Sequence, residues 1–261
     1  DVISYSAAIS ACEKSAHWKQ ALGILAEMQH RALEPNVISY NAAISACAKS
    51  EQWEHALGMV LEMHLRHIEA DVISYSALIS ACEKSNQWQW ALRAHAEMRE
   101  QALEPNLISY RAVMSAYANG EQWERALRLL GEMRDENLEP GVTSYNAAIS
   151  ACEKGEQWEK ALGMLADLQG RTLEPTVISC NAATSAFEKG EQWVLAMTML
   201  TAMQERVLEP DVISKNAVVG ACEKAAQWAR AVCVLVKMQQ QESTPDEISY
   251  NAAISACEKG G

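Results

Sequence analysis

Between Val142 and Lys154 the residues Tyr145, Ala148, Ile149 and Cys152 recur at i, i+3, i+4 and i+7, the spacing that lays one apolar stripe along a short helix. A second stripe follows after the break Gly155-Glu156: Trp158, Ala161, Leu162, Leu165 and Leu168. The pattern then closes on "GRTLEPT", where Pro175 cannot continue a helix. The segment therefore predicts two antiparallel helices joined by a tight connection.

The same pattern returns along the whole chain. Trp18, Trp53, Trp88, Trp123, Trp158, Trp193 and Trp228 keep one period, and Trp90 alone lies off it. Pro35, Pro105, Pro140, Pro175, Pro210 and Pro245 keep the same period, with Ala70 in the one vacancy. Units begin near residues 2, 37, 72, 107, 142, 177, 212 and 247. We expect one array over 1–261, seven full units and a half unit, in which each unit buries its apolar face against its neighbours. The fold class is all-α, an α-solenoid. Ala21, Ala56, Ala91, Ala126, Ala161, Ala196 and Ala231 hold one place in every second helix, as a close helix approach requires. The chain starts at a unit boundary without Met and stops within a unit, so it reads as a piece of a longer protein.

Composition alters this picture little. With 49% hydrophobic residues the chain is globular, and no run is long enough to span a membrane. A formal charge of −12 argues against a generic surface for nucleic acid or acidic lipid. Six of the eight cysteines, Cys12, Cys47, Cys82, Cys152, Cys222 and Cys257, occupy one register. Equivalent helices in a stack lie roughly 10 Å apart, too far for a disulfide, so these are expected to be small buried packers in a reducing compartment.

A different face of the first helix carries the candidate chemistry. Ile3, Ser6, Ser10 and Lys14 share a stripe distinct from the Tyr-Ile-Cys one. Its apolar member recurs as Ile3, Ile38, Ile73, Ile108, Ile178 and Ile213, with Thr143 in the fifth unit. Its variable member is Ser6, Asn41, Ser76, Arg111, Asn146, Asn181, Asn216 and Asn251. Its basic member is Lys14, Lys49, Lys84, Lys154, Lys189, Lys224 and Lys259, broken at Asn119. One such lysine is explained by the helix dipole; the whole register is better explained by a track for phosphates, or by both.

The constant period, "VISYN" opening the first helix, Ala21 and Met28 in the second, and "LEP" before a boundary Asp or Asn resemble the pentatricopeptide repeat of the P type. The tetratricopeptide repeat has a shorter period and no polar residue paired with the boundary. The resemblance implies a right-handed superhelix with first helices on its concave side and the periodic Trp outside. It implies single-stranded RNA as partner and a role in organellar RNA processing, stability or translation, in chloroplast or mitochondrion. It also implies that the variable residue and the boundary residue ending its unit together read one base. Asn41 with Asp71, Asn181 with Asp211 and Asn216 with Asp246 are then uracil-type pairs. Ser6 with Asn36 and Ser76 with Asn106 are adenine-type, and Asn146 with Thr176 is a pyrimidine-type pair. Arg111 with Gly141 matches none. The isoleucines clamp the bases, and Lys14, Lys49, Lys84, Lys154, Lys189 and Lys224 face phosphates. A Trp opening the second helix departs from the family's usual aliphatic residue, and we read it as packing against the next unit.

No enzyme, cofactor or metal is expected. His64 and His67 stand at i, i+3 near a helix end without convergent carboxylates, and no nucleophile, base and orienter recur together. The rival reading is a scaffold subunit that holds protein in a large organellar assembly with its acidic surface.

Overall fold

The structure, a computed structural model, describes residues 1–240 and 244–260. The described residues form helices joined by turns, with no strand among them. Two compact units divide the chain, Asp1–Gly120 and Glu121–Gly261. The first holds the first helices α1 (Val2–Lys14), α3 (Val37–Lys49), α5 (Val72–Lys84) and α7 (Leu107–Asn119), and the second helices α2 (Trp18–His30), α4 (Trp53–Leu65) and α6 (Trp88–Glu100). In the other, α8 (Trp123–Asp135), α10 (Trp158–Gly170), α12 (Trp193–Glu205) and α14 (Trp228–Gln240) are second helices. Its first helices are α9 (Val142–Lys154), α11 (Val177–Lys189), α13 (Val212–Lys224) and α15 (Glu247–Gly260). Within each compact unit, first helices pack side by side in chain order; every second helix but α8 fills the gap between its own first helix and the next, and α8 packs on α9. This is the nearest-neighbour stacking of an α-solenoid.

Local chemistry sets the helix ends. Asp1, Asn36, Asp71, Asn106, Thr176 and Asp211 cap first helices, each side chain accepting a backbone N–H of the first turn. The second helices α2, α4, α6, α8, α10 and α12 have no such side-chain cap. Helices α1 to α6 and α8 to α13 end in a Schellman arrangement, as where Gln157 N–H donates to the Cys152 carbonyl at 2.8 Å and Glu156 N–H to Glu153 at 3.1 Å. The left-handed residue of that turn is Glu156, with φ 57°, whereas Gly155 has φ −81°. Gly155 is therefore not there for backbone freedom.

Its role comes from the tryptophans. A Cβ at Gly155 would lie 2.3 Å from Trp123 Cδ1, and one at Gly190 would lie 2.3 Å from Trp158 Cδ1. Each of these indoles lies across the end of the next unit's first helix. Where that place is serine the joint differs: Ser50 Oγ donates to the Ala16 carbonyl at 2.9 Å and Ser85 Oγ to that of Glu51 at 2.8 Å. Trp rings also meet the following second helix, Trp18 with His55 at 4.7 Å, Trp53 with Trp90 at 5.9 Å, and Trp193 under the Arg230 guanidinium at 5.0 Å. Packing between units is thus what the periodic Trp does here.

The core is the predicted stripe made wider. Tyr145, Ala148, Ile149 and Cys152 are fully buried, joined by Ser144, Ala147 and Ala151 from the flanks of the same helix. The Tyr hydroxyls tie second helices together: Gln29 donates to Tyr40, which donates to Glu62 at 3.0 Å. Arg134, Tyr145 and Asp167 repeat the arrangement. In the Tyr register Lys215 is buried, and burial pulls its ammonium pKa down against Asp211 and Glu209. Of the six cysteines in register, Cys47, Cys82, Cys152 and Cys222 are buried, whereas Cys12 is half-buried and Cys257 exposed. Burial pushes the Cys82 thiol up to about 12 and those of Cys47, Cys152 and Cys222 to about 11, so they stay protonated and inert.

Candidate functional site

The face of the first helices that carries the variable residues is built from three neighbouring rows. The isoleucines Ile3, Ile38, Ile73, Ile108, Ile178 and Ile213 are 51% to 79% exposed, an apolar row more than half open to solvent. Beside them, three units assemble the same polar constellation. Asn41 Nδ2 donates to both carboxylate oxygens of Asp71 at 3.0 and 3.1 Å, across thirty residues, while its Oδ1 accepts from Ser74 Oγ at 2.5 Å. Asn181 meets Asp211 at 3.2 and 3.0 Å and Ser214 at 2.5 Å. Asn216 meets Asp246 at 3.1 Å to either oxygen and Ser249 at 2.5 Å.

Charge fixes the orientation of these amides. Burial raises the Asp211 carboxyl, but hydrogen bonds from the Ser214 N–H, Asn181 and the Ile213 N–H outweigh it and hold the group below the usual carboxylate range. At Asp246 the bonds from Ser249 dominate and lower it as well. An ionised carboxylate only accepts, so the asparagine must turn its NH2 toward it and its oxygen toward the serine. Each asparagine keeps one N–H and one oxygen lone pair uncommitted, a donor and an acceptor side by side.

The serine is the residue that sequence reasoning missed. Ser39, Ser74, Ser109, Ser144, Ser179, Ser214 and Ser249 are essentially fully buried, each three residues after a boundary residue. A polar residue held at one place in the period was the available signal. Where the boundary is Gly141, which has no side chain to cap α9, the buried Ser144 hydroxyl finds no partner. Nothing lies within 4 Å of a Cβ built on Gly141, and its φ of −83° suits any residue. Gly141→Asp is expected to cap α9 and satisfy Ser144, stabilising the protein by about 1 kcal/mol; a denaturant midpoint that does not rise counts against this account.

The other expected pairs are looser. Ser76 Oγ lies 3.2 Å from Asn106 Oδ1 but only 2.6 Å from the Val72 carbonyl, and its single proton goes to the nearer acceptor. Ser6 contacts Ser39 at 2.8 Å, and Ser39 in turn reaches Asn36 Oδ1 at 3.0 Å, so Ser6 and Asn36 are linked only through that hydroxyl. In both, the boundary Asn spends its oxygen on capping. Asn146 lies 3.4 Å from Thr176 Oγ1, a long contact, while Ser179 holds its oxygen at 2.5 Å. Arg111 is exposed.

The lysines depart from the expected track of free cations. Lys49 Nζ pairs with Glu13 at 3.0 Å, Lys189 with Glu153 at 3.2 Å, Lys224 with Glu188 at 3.5 Å and Lys259 with Glu223 at 3.0 Å. Each carboxylate ends the first helix of the preceding unit, so the row is a ladder of ion pairs between adjacent first helices. Ser255 Oγ adds a bond of 2.7 Å to Glu223. The physical reason is register: the constant period sets each Lys beside the Glu thirty-six residues earlier.

In the first compact unit the three rows enclose a groove of about 240 Å³, open to solvent, whose lining includes Ile73, Ile108, Ser76, Asn106, Lys49 and Lys84. His64 and His67 line a separate surface hollow with Glu69 and Gln101, and no group of metal-ligating side chains occurs among the described residues. Nor is any described helix long and apolar enough to cross a membrane.

Comparisons with known proteins bear on the repeat and the fold. The profile of the PPR repeat family matches residues 1–49, 35–84, 70–119 and 105–154, that of the PPR repeat matches 143–172, and that of the pentatricopeptide repeat domain matches 200–259. No curated protein sequence matches the chain. Among solved structures, the maize pentatricopeptide repeat protein PPR10 superposes with a TM-score of 0.65 at 21% identity, over 97% of this chain and 36% of that one. The PPR domain of Arabidopsis thaliana protein-only RNase P 1, solved with tRNA, gives 0.59 at 13% identity, over 69% of this chain and 95% of that domain. Nuclear proteinaceous RNase P 2 from A. thaliana gives 0.61 at 10% identity, over 72% and 42%. At these identities the likeness establishes the fold alone, and the chain spans little more than a third of PPR10. Family profiles over more than half of the sequence, on helix pairs stacked in chain order, place this chain in the pentatricopeptide repeat family.

Proposed function

We propose that the chain is a sequence-preferring module for single-stranded RNA, acting in organellar RNA processing, stability or translation by holding RNA rather than by chemistry. The observation that carries this reading is the constellation at Asn41, Asn181 and Asn216. Capping alone accounts for a boundary Asp, but not for a half-buried asparagine thirty residues earlier being oriented by it with one N–H and one oxygen lone pair left over. That pair complements the N3–H and a carbonyl of uracil, and an exposed isoleucine row beside it supplies apolar cover for the base faces. Asn106 and Asn36, whose oxygens are committed to capping, are left with NH2 donors instead, which suits the N1 acceptor of adenine. Read from the RNA 5′ end, the units then prefer adenine, uracil, adenine, any base, pyrimidine, uracil and uracil. PPR10 and the RNase P domain solved with tRNA share the fold.

The Lys-Glu ladder favours the rival reading, a scaffold subunit that binds protein, because it spends cations an RNA backbone would use. Exposed ion pairs of this kind contribute only about 0 to 1 kcal/mol, so a phosphate can displace the carboxylate at little cost. A gel shift at two salt concentrations separates the readings, and Asn181→Ser or Asn216→Ser refines the result. Unpairing a base edge costs about 1–3 kcal/mol. Each variant should therefore bind AUACCUU-containing RNA roughly 5- to 150-fold more weakly and lose its uracil preference at one position. Equal losses for every sequence point to a backbone contact. A wild-type chain that binds no RNA at low salt belongs to the scaffold reading.

A further inference from the structure

The ion-pair ladder has a gap in the first compact unit. Lys49 finds Glu13 thirty-six residues before it, and Lys189, Lys224 and Lys259 find Glu153, Glu188 and Glu223 in the same way. For Lys84 that place is Ala48, a buried methyl group. Lys84 is exposed and its ammonium meets no carboxylate among the described residues. It also lines the groove of about 240 Å³ that holds Ile73, Ile108, Ser76 and Asn106, beside Lys49 with its Glu13. Lys14 likewise has no carboxylate partner among the described residues, but it does not line the groove.

We propose that Ala48, by leaving Lys84 unpaired at the mouth of this groove, makes Lys84 the phosphate anchor of the first compact unit, while the Glu-paired lysines serve mainly to join adjacent first helices. The inference rests on the RNA reading above and asks which cation carries the backbone contact. The two kinds of lysine differ in what a phosphate must displace. At Lys49, Lys189 or Lys224 one fixed anion replaces another, and few ions are released to the solvent. At Lys84 no carboxylate has to be displaced, so the ammonium neutralises a phosphate outright and the cations condensed on the RNA are released, which drives association at low salt. The anchor stands next to Ser76 and Asn106, which are not tied to each other because Ser76 gives its proton to the Val72 carbonyl, and the apolar walls Ile73 and Ile108 can take a base between them. One groove thus offers a cation, two apolar walls and two polar edges to a single nucleotide.

The test measures binding of a fluorescein-labelled single-stranded RNA containing AUACCUU to the whole chain by anisotropy across a salt series. Lys84→Gln is expected to flatten the plot of log affinity against log salt by about 0.7 and to weaken binding roughly five- to tenfold near 50 mM salt. Lys189→Gln, which removes a paired lysine, should change affinity less than about twofold. Ala48→Glu installs the missing carboxylate at a place where Glu13, Glu153, Glu188 and Glu223 are already accommodated, and should reproduce the Lys84→Gln result while leaving the helical circular-dichroism signal intact. Equal effects of Lys84→Gln and Lys189→Gln, or wild-type binding by Ala48→Glu, overturn the anchor and leave the RNA reading standing. No binding by the wild-type chain at the lowest salt overturns the RNA reading and the anchor with it.

Discussion

Gly190→Ala is expected to destabilise the second compact unit by ~1–3 kcal/mol, a large cost for one methyl group. The added Cβ would stand 2.3 Å from Trp158 Cδ1, 2.7 Å from Cγ and 3.1 Å from Cβ of the same residue. These atoms lie at the root of the side chain, so no rotation of the indole that keeps its packing clears them. Either the ring leaves the joint or α11 moves away from α10. Gly163→Ala, in the middle of α10, is the control: nothing lies within 4 Å of its Cβ, and removing a helix-interior glycine should stabilise by roughly 0.5–1 kcal/mol. Opposite shifts of the denaturant midpoint check the pair. A wild-type midpoint for Gly190→Ala would mean that Trp158 does not seal this joint.

Phe187→Cys is expected to cost roughly 3 kcal/mol or more, even though cysteine is what Cys47, Cys82, Cys152 and Cys222 place in that register. Phe187 is 1% exposed and packs in the core of the second compact unit. In α9 the buried stripe is Tyr145, Ile149 and Cys152; in α11 it is Cys180, Thr184 and Phe187. The aromatic ring has moved from one end of the stripe to the other, with smaller residues making room for it. Truncating Phe187 alone therefore leaves a cavity that Cys180 and Thr184 do not fill. Cys180→Tyr with Thr184→Ile should restore most of the loss in the Phe187→Cys background, with the new hydroxyl in reach of Gln169, in the register where Gln29 meets Tyr40. Additive losses across the three substitutions would contradict this exchange of volume.

The asparagine and boundary residues were legible in the sequence because both recur at one period, and the exposed isoleucines follow from the same helical face. The buried serine between them was passed over because a small polar residue near a helix start ordinarily reads as surface or cap. Its burial arises only when the preceding unit's first helix packs over it, as Asn41 does over Ser74. Trp158 and Gly190 present the same difficulty: the glycine reads as a turn residue, yet its φ is −83° and the left-handed residue is Glu191.

By itself the sequence determined the number and kind of helices, their apolar faces and the unit boundaries, because these depend on residues within one or two turns of each other. Tertiary structure alone decided what each lysine does. Lys14, Lys49, Lys84, Lys189 and Lys224 are equivalent in every local respect, being exposed residues at the end of a first helix. Stacking then brings Glu13, Glu153 and Glu188 to three of them and Ala48 to Lys84. A charge on a helix surface is set by its own residue, but its availability to a ligand is set by the nearest opposite charge, and here that charge comes from the neighbouring unit.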